Sequence, residues 1–154
     1  MTTITIETIF HCPIEICFDV ARSIDAHIVS TSKTGERAIA GRLSGLCEMG
    51  ETITWEATHF GIRQKLTSEI TKMDKPHFFE DRMIHGAFKS MRHEHHFQDT
   101  NGVTNMLDIF EYEVPYGLPG RLFDYLILKN YMKRFLIKRN EVLKQLVENG
   151  SYNA

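Results

Sequence analysis

The sequence predicts an α+β domain in which a curved antiparallel sheet of six or seven strands wraps around one long C-terminal helix, with two short helices after the first strand. Three observations predict it. From Thr52 to Val114 apolar and polar residues alternate, rich in β-branched and aromatic types, and turn signals interrupt them at Phe60-Gly61, Asp74-Lys75-Pro76, His85-Gly86 and Asn101-Gly102. Beyond Pro115, Gly117 and Pro119 the apolar period becomes helical. The 154 residues are 42% hydrophobic and 25% charged, enough apolar material for one core and one domain over 1–154.

The elements follow in order. TITIETIF, residues 3–10, alternates as a strand; Pro13 then opens a short helix to about Arg22, and Ser23 with Asp25 caps a second over about 24–30. The Ser-, Thr- and Gly-rich stretch from Ser30 to Glu51 is loop, with one short strand near Arg37 to Gly41. The hairpin-linked strands come next. The last helix, about thirty residues long, carries a stripe of Leu122, Leu126, Met132, Leu136, Leu143 and Val147, widened by Phe123, Ile127, Phe135, Val142 and Leu146. Only this helix is long enough to cover the apolar face of the sheet, and a sheet gripping one helix leaves room for a cavity between them.

Several function classes are disfavoured at the outset. The formal charge of -2, with no long basic run, argues against a nucleic-acid partner. The N-terminus lacks the basic start and apolar core of a signal peptide and no apolar run reaches membrane-spanning length, so we expect a cytoplasmic protein. Cys12, Cys17 and Cys47 are odd in number and lack CxxC spacing, which suits reduced packing residues.

Strand alternation sorts side chains by face, because outward charge fixes the phase. Met91, His93, His95 and Phe97 point inward, as do Met106, Asp108, Phe110 and Tyr112; so do Phe79, Asp81 and Met83, and Gln64, Leu66 and Ser68 with Trp55, Ala57 and His59. A two-residue turn at Asn101-Gly102 pairs Thr100 with Val103, and hence His95 with Asp108, His93 with Phe110 and Phe97 with Met106. Asp81 falls beside His93 or one neighbour away. The inward polar row is therefore Ser68, Asp81, His93 with His95, and Asp108, next to an apolar layer of Trp55, Leu66, Met83 and Met91. Two acids and two histidines inside a sheet must be paired, solvated or occupied by a ligand. A zinc set of both histidines and one Asp is the sharper alternative; each His already has an Asp partner, so we expect no metal and no cofactor. His59 is expected on the rim, and His11, His27, His77 and His96 at the surface.

WEATHFG (55–61), DRMIHGAFK (81–89), HEHHF (93–97) and PYGLPG (115–120), in this element order, resemble a group of short bacterial, cyclase-like proteins within the helix-grip superfamily. That superfamily includes START lipid-transfer domains, polyketide cyclases and birch-pollen-allergen-like proteins. The resemblance spans Thr3 to about Glu148 and implies the helix-grip fold and a small hydrophobic or amphipathic ligand between sheet and helix. The glycine-rich loop of the plant members is missing: AGRLSGLCEMG (40–50) has spaced glycines only, which argues against a phosphate-cradling role.

Three functional readings stand. In the first, a carrier or sensor binds an amphipathic small molecule against Trp55, His59, Gln64, Leu66, Ser68, Asp81, Met83, Met91, His93, His95, Phe97, Asp108, Phe110 and Tyr112. In the second, an enzyme of the cyclase or isomerase kind moves a proton through His95, Asp108, His93 and Asp81. The third is transient contact with a membrane surface: residues 118–148 carry a balance of +4 against -6 for the rest, and Lys129, Lys133, Arg134, Lys138 and Arg139 could meet anionic headgroups. The sequence leaves the oligomeric state open.

Overall fold

In the computed structural model, which describes residues 1–152, strand β1 (Thr2–Phe10) leads into helices α1 (Ile14–Ala21) and α2 (Ile24–Ser30). Pro13 caps α1, and the Ser23 hydroxyl caps α2 by accepting from the Ala26 N–H at 3.1 Å. Strands β2 (Arg37–Gly41), β3 (Thr52–His59), β4 (Ile62–Asp74), β5 (Phe78–His85), β6 (Ser90–Thr100) and β7 (Val103–Glu113) then form one antiparallel sheet with β1, in the order β1-β7-β6-β5-β4-β3-β2. All but the β1–β7 pair are hairpin neighbours, so the chain meanders across the sheet and closes it by laying β1 beside the last strand.

The β6–β7 hairpin has the register that its turn implies. Asn101 and Gly102 both have positive φ (52° and 79°), the backbone that a tight two-residue hairpin needs and that Asn and Gly tolerate best. Thr100 faces Val103, His95 faces Asp108 and His93 faces Phe110, while Asp81 of β5 faces His93. The expected row differs at one end. β4 carries register shifts at Thr67/Ser68 and between Ile70 and Lys72, so Ser68 lies opposite Met83 and Ile70 opposite Asp81.

The C-terminal segment runs as α3 (Gly117–Phe123), a π-helical turn (Asp124–Leu128) and α4 (Lys129–Glu148). Its inner row is not the expected one. Gly120, Asp124, Leu128, Met132 and Leu136 follow one another in steps of four toward the sheet, whereas Leu122 and Leu126 point outward, each 60% exposed. The step of six from Leu126 to Met132 does not keep one helical face, and the π turn accommodates the extra angle that a row of fours requires.

Two apolar clusters fill the space between sheet and helices. One joins Phe10, Cys17, Phe18, Val20, Phe79, Phe97, Met106 and Leu143 under α1. The other joins Ile4, Ile6, Met91, Phe110, Tyr112, Met132 and Leu136. The polar row is contributed by strands that also supply both clusters. No helix among the described residues is long and apolar enough to cross a membrane.

Candidate functional site

Between the sheet and α4 lies a cavity of about 730 Å³, inside the range of about 300–1,000 Å³ typical of small-molecule sites. Trp55, Ala57, Gln64, Leu66, Ser68, Met91 and Phe110 line it from the strands, and Met132, Phe135, Leu136 and Arg139 line it from the helix. Asp81, His93 and His95 form a polar region of its wall. Four residues expected on that wall are not part of it. Phe97 packs with Phe18 and Phe79 in the first apolar cluster, Met83 sits against Gly86, and Tyr112 turns its hydroxyl to Asp124 at 2.5 Å. Asp108 is the fourth: it is 1% exposed and reaches the cavity only through the two histidines.

Asp108 is the hub of the polar row. Its Oδ1 lies 2.6 Å from His95 Nδ1 and 3.0 Å from His93 Nε2. The first contact is out of line for an N–H···O bond, so charge rather than a linear hydrogen bond holds His95 there. Asn140 Nδ2 donates to Asp108 Oδ2 at 2.6 Å and reaches Thr8 Oγ1 at 3.1 Å, tying α4 to β1 and β7 at one point. On its other side His95 turns Nε2 to Asp81 at 3.5 Å, and its ring stacks on Phe79 with centroids 4.2 Å apart.

The two histidines are driven apart. Burial opposes the charged form of both. For His93 burial, together with the neighbouring His95, wins and holds the imidazole down at about 4, so it is neutral at ordinary pH. For His95 burial is outweighed by the charge and contact of Asp108 and by Asp81, and the net shift is upward. Burial would raise Asp108, but His95 and His93 hold it well below the usual carboxylate range, and Asp81 is lowered in the same way.

Sequence reasoning missed four groups at this site. Arg139, expected among the cations that could meet headgroups, is 4% exposed: its guanidinium lies 4.0 Å from Asp108, donates weakly to Ala21 O (3.4 Å) and Asn140 Oδ1 (3.3 Å), and leaves Nε without a partner among the described residues. Asn140 is 1% exposed beside it. The signal was available, because Arg139 and Asn140 occupy the helical steps between Leu136 and Leu143, both of which are buried. His27, expected at the surface, packs at a tilt against Trp55 (4.2 Å between centroids) and contacts the half-buried Glu36 at 2.9 Å; His27 and Glu36 line the cavity. His59, expected at the rim and among the ligand-binding residues, lines the cavity, with Nδ1 2.7 Å from the Tyr131 hydroxyl, and burial lowers its pKa.

Asp81, His93 and His95 form the only trio among the described residues whose donor atoms come near a metal set, lying within 4.8 Å of one another. Tetrahedral zinc at about 2.0–2.1 Å from each ligand needs donor atoms roughly 3.3 Å apart, and the buried Arg139 cation beside Asp108 opposes a second positive charge there. We expect protein purified without chelator to carry no stoichiometric metal, and its melting temperature to be unmoved by EDTA. A chelator-sensitive melting temperature would overturn the expectation that the protein holds no metal.

No family model matches the chain, and no curated protein matches it by sequence. Solved structures do. TTHA0849 from Thermus thermophilus superposes with a TM-score of 0.79 at 16% identity, covering 98% of this chain and 100% of its own. Ms6760 from Mycobacterium smegmatis gives 0.70 at 17%, covering 96% and 92%. Ginseng major latex-like protein 151 from Panax ginseng gives 0.64 at 13%, covering 94% and 95%. The chain has the helix-grip fold. The superpositions span nearly the whole of this chain, and at such identities the likeness extends to architecture alone.

Proposed function

We propose that the protein binds one small amphipathic molecule between sheet and helix, as a carrier or sensor. The observation that carries this reading is the cavity itself, apolar along Trp55, Leu66, Met91, Phe110 and Phe135 and polar at Asp81, His93, His95 and Arg139. A polar ligand head would meet the wall at Asp81 and His93, where buried polar groups are costly unless they are paired. The tail would lie along the aromatic and aliphatic wall, where burial of apolar area supplies affinity. The proton-transfer reading is weaker. His93, held at about 4, is a poor base near neutral pH, and both nitrogens of His95 already face carboxylates.

Trp55, the single tryptophan, is 7% exposed on the cavity wall. We expect its emission to change saturably as dodecanoate enters, and anilinonaphthalene sulfonate to brighten and then be displaced by the fatty acid. Followed by the dye's own emission, Met91→Trp, which fills the cavity, should abolish binding, while Met83→Trp, off the cavity, should retain it. Absence of any saturable response from either compound would overturn the carrier reading.

A further inference from the structure

The outer side of the C-terminal segment is unusual for a surface. Tyr116, Leu118, Leu122, Tyr125 and Leu126 are each 60–85% exposed, and Phe60 and Ile62 at the β3–β4 turn are exposed beside them. Leu118, Leu122, Tyr125 and Leu126 stand at helical spacings of four, three and one, so they form one outward stripe. This stripe is opposite the row of Gly120, Asp124 and Leu128 that faces the sheet. Monomeric proteins rarely expose so much contiguous apolar surface without a partner.

The patch surrounds the mouth of the cavity. Tyr116, Phe123, Phe60 and Ile62 line the cavity while remaining exposed. Phe60, held at φ 53°, a backbone that a bulky side chain rarely adopts, places its ring 5.8 Å from Phe123 and 4.4 Å from Tyr131. The β3–β4 turn therefore meets the helix at the edge of the opening.

The surrounding charge has one sign. Lys129 and Lys133 continue the outward stripe beyond Leu126, and Arg121 and Arg134 flank it, all four exposed and none with an acidic partner among the described residues. Between Pro115 and Asn140 the only acid is Asp124, and its carboxylate is buried under Tyr112 and Thr2. Of the five cations expected to meet headgroups, Arg139 is withdrawn into the interior and Lys138 lies 3.7 Å from Glu141.

We propose that this face docks on the surface of an anionic lipid bilayer, with Tyr116, Leu118, Leu122, Tyr125 and Leu126 at the depth of the headgroup–acyl boundary and the cavity mouth turned toward the lipid. Aromatic and leucine side chains edged by lysine and arginine are the composition that such interfaces favour. A second copy of the chain fits poorly. A two-fold contact through this patch would bring Arg121, Lys129, Lys133 and Arg134 against their own equivalents with no exposed acid in the patch to pair them. The use of docking for ligand exchange rests on the ligand-binding reading; the docking itself does not.

Sedimentation with vesicles of phosphatidylcholine alone, or mixed with phosphatidylglycerol, tests it. We expect binding to the mixed vesicles that weakens as salt rises, and little binding to the neutral ones. Leu122→Ser with Leu126→Ser should weaken it by about tenfold or more, and Lys129→Gln with Lys133→Gln by about tenfold. Neither leucine lines the cavity, so the leucine variant should still bind anilinonaphthalene sulfonate. If the dye fails to bind while vesicle binding persists, the cavity reading falls and the docking face stands. Two results overturn the docking face: vesicle binding that is absent or unmoved by both double variants, or a dimer in solution that the leucine variant dissociates.

Discussion

Replacing Asp108 by Ala should cost about 3 kcal/mol of folding stability, the range seen when one partner of a buried ion pair is removed, and lower the melting temperature by roughly 10 °C. The loss is large because one carboxylate serves several neighbours. His95 and His93 lose the oxygen they share, Asn140 loses its 2.6 Å acceptor, and Arg139, with no other anion within 4.0 Å among the described residues, becomes a buried cation without a counter-charge. Asp108→Asn keeps the shape and removes the charge, so it isolates the electrostatic part. Under that substitution burial of His95 is no longer outweighed, and its pKa should fall; imidazole NMR titration measures it directly. A His95 pKa indifferent to Asp108→Asn would mean that the two groups are not neighbours, and the whole polar row would have to be redrawn.

The same cluster shapes stability against pH. His95 is raised in the folded state, so its contribution is complete below its unfolded value of about 6.5 and fades as pH climbs through the folded pKa. His93 behaves oppositely. Its folded pKa is about 4, so the unfolded chain takes up the proton first, and stability falls between about 6.5 and 4 as the solution is acidified. Asp108 and Asp81 are depressed, and their contributions are present above about 3.9 and disappear as pH drops through their folded values. Urea midpoints measured across this range should therefore peak near the unfolded histidine value in the wild type. In Asp108→Asn the decline on the alkaline side should flatten.

The juxtaposition of His95 and Asp108 was legible because two independent local signals agree. Alternation along KSMRHEHHFQD assigns the inner phase, and Asn101-Gly102 sets the pairing through a backbone geometry few other dipeptides accept. Across β4 no such signal exists. The shifts at Thr67/Ser68 and between Ile70 and Lys72 fall among ordinary strand residues, and a bulge without glycine leaves no mark in the alternation except a changed phase afterwards. The helix illustrates a different limit. Its apolar residues face two ways, toward the sheet at Met132, Leu136 and Leu143 and toward solvent at Leu118, Leu122 and Leu126. Hydrophobicity alone cannot separate a core stripe from an exposed one. Arg139 and Asn140 were obscured for the converse reason: polar residues at inner positions look like surface until spacing is weighed above residue type.

Gly120→Ala should be about as damaging as the loss of Asp108, costing about 3 kcal/mol at the upper end of what overpacking usually costs. A Cβ on Gly120 would stand 1.9 Å from Pro115 O and 3.1 Å from Pro115 C. Those atoms are backbone, in the link that folds from β7 back over the start of α3, and they cannot swing aside. The helix must move off the sheet instead, and one turn later Asp124 would be drawn away from Tyr112 and Thr2, which it anchors to the inner row. Gly86→Ala offers the comparison. Its Cβ would come 2.6 Å from Leu66 Cδ1 and from Met83 Sδ, the free ends of flexible side chains, so we expect only about 1 kcal/mol there. Thermal unfolding of the two variants side by side should show the Gly120 change to be severalfold larger. Because Tyr116, Gly120 and Phe123 line the cavity, anilinonaphthalene sulfonate should also bind folded Gly120→Ala with altered affinity. Equal, small losses for both substitutions would show that α3 does not depend on this close approach, and that the cavity mouth is set by something other than the contact between Gly120 and Pro115.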